Sequence, residues 1–131
     1  MGEELGNAEE KTPQFAEVLA AFNDYFAGDL TALDGIPLDF SAAPPFFSAA
    51  WGACRAIPPG ETRSYQWLAT AAGNSRASRA AGQAMAKNPF PLIVPCHRVV
   101  GSNGGLHGYG AGGVGVKARL LEMERRQATL L

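Results

Sequence analysis

The amino-acid sequence predicts a mainly α-helical fold with a small β component. Apolar residues recur at helical spacing in three segments, 13–27, 45–56 and 116–127, as expected of amphipathic helices. Two shorter helical segments meet at Gly73-Asn74, and this arrangement predicts a helix-turn-helix. The strand-like segments are only two to four residues long, so any sheet is expected to be small.

Two helices are predicted in the first half of the chain from residues that typically begin and end helices. The first helix is predicted over 13–27, with Thr12 as its N-cap and Gly28 as its stop. A proline-rich linker then leads to a second helix over 45–56. Cys54 lies on the apolar face of that helix, where packing is its expected role.

The second half begins with a short predicted strand at 62–65. Helices are predicted next at 66–72 and 75–87, and Ser75 is the expected N-cap of the latter. The remaining predicted elements are two strands and one helix, at 93–94, 99–100 and 116–127.

Composition and charge limit the classes of function. No apolar run reaches the ~18 residues of a membrane-spanning helix, and the two cysteines match no metal-binding or CxxC spacing. Free thiols favour a reducing, cytoplasmic setting. Residues 1–50 contain nine acidic residues and one basic residue, whereas 51–131 contain ten basic and three acidic residues. This asymmetry indicates nucleic acid as the partner of the second part, although two solvated surfaces of opposite sign would give the same count.

The strongest candidate for chemistry is the pair Cys96 and His97. A cysteine reacts as its thiolate, and a neighbouring imidazole or cation favours that form. Pro95 restricts the backbone immediately before the thiol. The dipeptide alone favours a buried, inert cysteine, so the motifs around it decide between the two interpretations.

An ordered series of motifs resembles the O6-alkylguanine-DNA alkyltransferases, also called methylated-DNA–protein-cysteine methyltransferases. The series extends over residues 46–125 and implies a winged-helix-like alkyltransferase domain that contains the helix-turn-helix. Its motifs are Gly60-Glu61-Thr62, Ser64-Tyr65, Leu68-Ala69, Arg79-Ala80-Ala81-Gly82, Asn88-Pro89, Pro95-Cys96-His97-Arg98-Val99-Val100, Gly108-Tyr109, Gly112-Gly113, Lys117 and Leu120-Leu121 with Glu124.

This resemblance implies a nucleophile, a base and a carboxylate that orients the base. Cys96 corresponds to the family's alkyl-accepting cysteine, and His97 to the histidine that draws the thiol proton through a water. Glu124 corresponds to the glutamate that orients the histidine, and nearby Glu122 is the alternative carboxylate. Such an order of roles follows the logic of a catalytic triad.

Further residues correspond to the family's guanine pocket. Tyr65 corresponds to a tyrosine that donates a proton to the leaving purine. Asn88 corresponds to the hinge asparagine, and Asx side chains also bond their local backbone for purely structural reasons. The family has a small hydroxyl residue after the pocket tyrosine, whereas this chain has Gly110. A backbone amide would therefore make the contact to the alkylated oxygen. The other implied pocket positions are Met85, Pro91, Val99, Tyr109 and Gly110.

For DNA, the resemblance implies docking of the helix-turn-helix in the minor groove, unlike the usual major-groove mode. Arg79 corresponds to an arginine finger that fills the space left by a flipped nucleotide. Small residues in the second helix allow either close approach to DNA or tight helix packing. The other implied DNA contacts are Arg76, Ser78, Ala80 and Lys87.

The function implied is DNA repair by direct damage reversal. A suicide enzyme of this kind transfers one alkyl group, such as methyl, from O6-alkylguanine in double-stranded DNA to Cys96, irreversibly and once, after base flipping. No cofactor and no metal are expected, and a monomer without membrane association is expected in the cytoplasm, or at the nucleoid if the source is bacterial. Residues 46–131 would carry this activity. Residues 1–45 would be a short acidic remnant, with one helix and a linker, of the usual N-terminal domain.

Two alternatives remain from the sequence. One is a non-catalytic, alkyltransferase-like protein that only recognises alkylated DNA, although such proteins lack the cysteine that this chain has at position 96. The other is an incomplete chain that folds poorly because the usual N-terminal part is missing.

Overall fold

The structure is a computed structural model that describes residues 15–101 and 113–129, and the chain divides into two compact units after Ala42. The described part of the first unit contains helix α1 (Phe15–Phe26) and a turn-rich segment. Tyr25 is buried, whereas Phe15 is largely exposed. The predicted N-cap, Thr12, lies outside the described residues.

The second unit confirms the predicted mainly helical class with a small β component. The two strands among its described residues pair in parallel, with Arg63 opposite Val99 and Ser64 opposite Val100. None of the described helices is long and apolar enough to cross a membrane. The elements in chain order are α2 (Pro45–Arg55), β1 (Arg63–Ser64), α3 (Tyr65–Ala71), α4 (Ser78–Ala86), a 3-10 helix (Cys96–Arg98), β2 (Val99–Val100) and α5 (Gly113–Thr129).

Helices α2, α3 and α4 pack against one another and form the helix-turn-helix with its support. Ala81 and Ala84 of α4 are completely buried, so part of the small-residue content of this helix serves close packing. The indole Nε1 of Trp51 donates to the carbonyl of Ala84 at 2.8 Å. This bond satisfies a buried donor and links α2 to α4, and both effects favour a fixed helix arrangement.

The predicted start of the second helix of this motif is wrong, because α4 begins at Ser78 and not after Ser75. Asn74 extends the preceding turn: its Oδ1 accepts from the amide of Arg76 at 3.0 Å, and its carbonyl accepts from the amide of Ala77 at 3.0 Å. The side chain of Gln66 donates to the carbonyl of Ser75. Ser75 is therefore part of a longer turn, and its hydroxyl caps no helix.

The predicted strand at 93–94 is also wrong. Leu92 has φ of 74°, which is uncommon for a residue with a side chain and is incompatible with a straight strand. The amide of Val94 donates to the carbonyl of Phe90 at 2.8 Å, and this bond closes a turn. The strand predicted at 99–100 is confirmed as β2.

Helix α5 begins and ends beyond the predicted limits of 116 and 127. The expected apolar face is only partly buried, since Leu120 is buried while its apolar neighbours Val116, Leu121 and Met123 are intermediate. Lys117 and Glu124 are also buried. These three residues recur at helical spacing, so α5 turns two charged side chains toward the interior.

Candidate active site around Cys96

Cys96 begins the 3-10 helix that precedes β2. Its amide donates to the carbonyl of Val94 at 2.8 Å, and the amide of Arg98 donates to the carbonyl of Pro95 at 2.9 Å. The backbone is thus held on both sides of the thiol. Only 7% of Cys96 is exposed, and it forms no disulfide. The predicted nucleophile therefore sits in a constrained, largely dry turn.

His97 and Glu124 are both completely buried, and His97 Nε2 lies 2.9 Å from Glu124 Oε2. Neither ring nitrogen of His97 has a well-aligned hydrogen-bond partner among the described residues. The alternative carboxylate, Glu122, is exposed and pairs with Arg125 at 2.6 Å. Two residues along an α-helix correspond to a rotation of about 200°, which explains why Glu124 faces inward and Glu122 faces outward.

Arg98 binds the same carboxylate through two of its nitrogens. Its Nε donates to Glu124 Oε1 at 2.9 Å, and its Nη2 donates to Oε2 at 2.8 Å. Burial alone would raise the pKa of Glu124, but the close contact with His97 and the hydrogen bonds and charge of Arg98 outweigh it and lower that pKa to about 2. Glu124 is therefore ionised at any physiological pH.

Tyr65 and Lys117 lie close to each other, and Lys117 contacts the strand that follows the thiol turn. Lys117 Nζ donates to the carbonyl of Val99 at 2.7 Å and lies 5.8 Å from the centre of the Tyr65 ring. Burial raises the pKa of Tyr65, and negative charge on Cys96 or Cys54 raises it further. The phenol therefore keeps its proton at neutral pH and is able to donate it.

Sequence reasoning includes Lys117 in the family motif but gives it no role. Burial lowers the pKa of Lys117, whereas thiolate charge on Cys96 and Cys54 opposes that effect. A lysine is seldom buried, so the apolar pattern of α5 gives no indication of it. Its spacing of seven residues from Glu124 is the signal that places both on one helix face.

Asn88 closes the loop that precedes Cys96. Its Nδ2 donates to the carbonyl of Val94 at 2.8 Å, and its Oδ1 accepts from the amide of Phe90 at 2.8 Å. These are the local bonds expected of an Asx side chain. Of the predicted pocket residues, Met85 and Val99 are buried and Pro91 is exposed, while Tyr109 and Gly110 lie outside the described residues.

The predicted DNA contacts fall on and around α4. Arg79 and Arg76 are exposed, and the Arg79 guanidinium takes no part in a salt bridge or side-chain hydrogen bond with any described residue. Lys87 is exposed with its Nζ 5.9 Å from the centre of the Phe47 ring. Ser78 donates its hydroxyl to Gln66 Oε1 at 2.8 Å, and Ala80 is partly buried.

Two further features of the described residues concern metal ligands and the second thiol. Within residues 15–101 and 113–129, no three His, Cys, Asp or Glu side chains are grouped as metal ligands would be. Cys54 is completely buried, and burial, more than the charge of Cys96, raises its pKa well above the usual range. A thiol in that environment is unreactive.

Comparisons with known proteins identify the family of this chain. The family described as "6-O-methylguanine DNA methyltransferase, DNA binding domain" matches residues 45–126. The constitutive methylated-DNA–protein-cysteine methyltransferase of Bacillus subtilis is 43% identical over 124 residues, which cover 94% of this chain and 74% of the relative. The enzyme of that name from Mycobacterium leprae is 47% identical over 113 residues, covering 86% and 67%.

A solved structure supports the same relationship. The crystal structure of Mycobacterium tuberculosis OGT in complex with DNA has a TM-score of 0.76 and 42% sequence identity to this chain, and the match covers 86% of this chain and 67% of that one. Sequence, fold and the Pro-Cys-His-Arg turn therefore lead to one conclusion: the chain belongs to the family of methylated-DNA–protein-cysteine methyltransferases.

Proposed function

We propose that this chain repairs O6-alkylguanine in double-stranded DNA by transferring the alkyl group to Sγ of Cys96. The observation that carries the proposal is the arrangement of Cys96 on a constrained turn with His97 and Glu124 buried behind it, 2.9 Å apart. This arrangement lies within the segment that matches the DNA-binding domain of the family. A thiol beside an oriented base is the usual arrangement of an activated nucleophile.

Thiol activation is the first step of the proposed reaction. Through one water, His97 takes the proton from Cys96, and Glu124 holds the imidazole ring and favours its protonated product. The ring nitrogen Nδ1 is buried without a protein partner among the described residues, and a buried polar atom of this kind typically bonds a water.

The alkyl transfer itself is a direct displacement. A bond forms between Sγ and the alkyl carbon as the bond between that carbon and O6 of guanine breaks. Tyr65 donates its phenolic proton to the purine, so the leaving group departs as neutral guanine, and the proton on His97 replaces the one lost from the phenol. The raised pKa of Tyr65 supports this role, because a protonated phenol is required.

The reaction needs no cofactor, because the protein itself is the acceptor. A thioether at Cys96 has no leaving group of comparable reactivity, and Cys54 is buried with a raised pKa. Each molecule therefore acts once, as a suicide enzyme.

Access to the lesion requires the damaged base to leave the stack, since enzymes that act on a base in duplex DNA flip it into a pocket. We assign this task to α4, docked in the minor groove. Arg79 is exposed and unpaired among the described residues, so its planar guanidinium is available to enter the stack. Arg76, Ser78, Ala80 and Lys87 would contact the backbone around it.

The proposal also covers the guanine pocket, the division of the chain into parts and the cellular location. Met85, Pro91, Val99, Tyr109 and Gly110 would form the guanine pocket, and Asn88 would hold the loop beside it. Residues 46–131 would carry DNA binding and catalysis, and residues 1–45 would form a separate short segment. The protein would act as a monomer in the cytoplasm.

A mass spectrum tests the proposal directly. After incubation with duplex DNA containing O6-methylguanine, the intact protein should gain one methyl group, and peptide mapping should place it on Cys96. Methylation at Cys54, or repeated turnover beyond one equivalent, would contradict the mechanism. Binding of the alkylated duplex without any gain in mass would identify a recognition protein instead.

A further inference from the structure

The side chain of Gln66 joins the two helices of the helix-turn-helix. Gln66 lies in the first turn of α3. Its Nε2 donates to the carbonyl of Ser75, and its Oε1 accepts from the hydroxyl of Ser78 at 2.8 Å. Ser75 lies in the turn between the helices, and Ser78 is the first residue of α4. One side-chain amide thus holds both the turn and the start of the next helix.

The start of α4 lacks a side-chain cap. Ala77 occupies the N-cap position, and its methyl group accepts no hydrogen bond, whereas the usual N-cap residues supply a side-chain oxygen. Asn74 stabilises the turn locally, since its carbonyl accepts from the amide of Ala77 at 3.0 Å. Gln66 adds two bonds from the preceding helix, so it fixes this end of α4 relative to α3.

Arg79 is the functional side chain nearest to these bonds along the chain. It directly follows Ser78 in the first turn of α4, it is exposed, and its guanidinium has no ion-pair partner among the described residues. A side chain without such a partner takes its starting direction from its own backbone. The path of Arg79 out of the protein therefore depends on how the first turn of α4 is held.

We infer that Gln66 is a positioning residue, which holds the first turn of α4 so that Arg79 is directed into the base stack as the damaged guanine leaves it. The inference rests on the proposed function, which assigns base flipping to α4 and Arg79. It adds a residue of α3 to that task, one that acts through Ser75 and Ser78 without entering the stack itself.

Tyr65, which precedes Gln66, is held by separate contacts. The hydroxyl of Ser64 caps α3 by accepting from the amide of Trp67 at 2.9 Å, and Leu68 is completely buried. These contacts keep α3 in place without the Gln66 side chain. Loss of that side chain should therefore slow the steps that need α4 and leave the reaction at the thiol unchanged.

The first test compares two substrates in the full chain. Gln66→Met removes both polar groups at similar length, and a neutral hydrogen bond contributes a factor of about 2–10. Single-turnover repair of O6-methylguanine in duplex DNA should therefore slow about tenfold, with an unchanged rate on free O6-benzylguanine. Thr70→Val is the matched control, because it removes an exposed hydroxyl that bonds the backbone carbonyl of Gln66 at 3.0 Å within α3. Equal losses on both substrates in Gln66→Met would overturn the inference.

A double variant asks whether Gln66 acts through Arg79. Two residues that serve one interaction have effects that do not add. Gln66→Met should therefore slow duplex repair no further when it is introduced into Arg79→Ala. If the two losses multiply, Gln66 contributes independently of Arg79, for example by contacting DNA itself, and the inference is wrong.

Amide hydrogen exchange gives a readout that does not depend on activity. The amide of Ala81 donates to the carbonyl of Ala77 at 2.9 Å at the start of α4, and the amide of Ala72 donates to the carbonyl of Leu68 at 2.9 Å at the end of α3. In Gln66→Met the Ala81 amide should exchange about tenfold faster and the Ala72 amide at its former rate. Unchanged exchange at Ala81 would overturn the inference. If the unmodified protein transfers no alkyl group, the proposed function fails, while exchange still decides whether Gln66 fixes the start of α4.

Discussion

The thiol cluster and the exposed side of α4 differ in how their charged side chains are held. In the cluster, Arg98 and Glu124 are buried and joined by two hydrogen bonds. On α4, Arg79 is exposed and has no ion-pair partner among the described residues. Chemistry benefits from polar groups that are fixed before the substrate arrives. An arginine that binds DNA gains from having no partner within the protein, because a paired arginine would first have to break its protein contact.

Removal of the thiol should have the largest effect and should act on one region only. Cys96→Ala is expected to abolish alkyl transfer completely, because Cys54, the other cysteine of the sequence, is completely buried and burial raises its pKa. Affinity for alkylated duplex DNA should persist, since α4 is unchanged. Cys54→Ala is the matched control and should still accept one alkyl group. Loss of DNA binding in Cys96→Ala would show that the two regions are not separable.

Removal of the base should slow transfer without abolishing it. His97→Gln is expected to reduce the transfer rate at neutral pH by about 10²–10⁴-fold, the usual contribution of general base catalysis. Part of that rate should return as pH rises, because the thiolate then forms without help. Single-turnover rates between pH 6 and 10 would measure both effects. A dependence of the rate on added zinc would contradict the metal-free account.

Glu124 should make the free energy of unfolding depend on pH in the acid range. The pKa of Glu124 is lowered from 4.5 to about 2, so its contribution is fully present above pH 4.5 and is lost as pH falls toward 2. One pKa unit corresponds to about 1.4 kcal/mol, and the contribution is therefore about 3 kcal/mol. Urea unfolding across this range should show the loss.

Glu122→Gln provides the matched control for the acid experiment. Glu122 is exposed and pairs with exposed Arg125, and such pairs contribute little. The acid transition of this variant should resemble that of the unmodified protein. If Glu122→Gln loses the acid transition, the stabilising carboxylate is Glu122 on the exposed side of α5, and the account given for Glu124 is wrong.

A phosphate contact on the exposed region should have the smallest effect. Arg76→Ala is expected to weaken binding to any duplex and to lower the slope of log affinity against log salt by about 0.9. The reaction with free O6-benzylguanine should not change. Fluorescence anisotropy at several salt concentrations would measure the slope, with Arg125→Ala as a control that removes an exposed arginine already paired with Glu122.

The two regions also differ in how far the sequence reveals them. Periodicity predicted the helices that form the helix-turn-helix, but it missed the turn that Asn74 extends through Ser75, because several cap-forming residues compete there. It also gave no sign that Lys117 and Glu124 face inward, since charged residues are normally exposed. Their burial depends on partners distant in sequence, such as Arg98 and the carbonyl of Val99.

Counting charges overstated the DNA-facing surface for the same reason. Ten basic residues in 51–131 suggested a cationic face, yet several of them are occupied within the protein. Arg98 binds Glu124, Lys117 binds a backbone carbonyl, and Arg63 binds Glu61. Only three-dimensional contacts distinguish a structural cation from one that is free for a ligand.

Comparing duplex and free-base reactions of Arg79→Ala tests the separation of the two regions most directly. Flipping a guanine costs a few kcal/mol of stacking and pairing, and an intercalated guanidinium would offset part of that cost. The variant should therefore repair O6-methylguanine in duplex DNA much more slowly than the unmodified protein, yet react with free O6-benzylguanine at an unchanged rate. Arg79→Lys should restore only part of the duplex rate, because it lacks the planar group. Equal losses on both substrates would contradict the account and place Arg79 in the support of the thiol cluster.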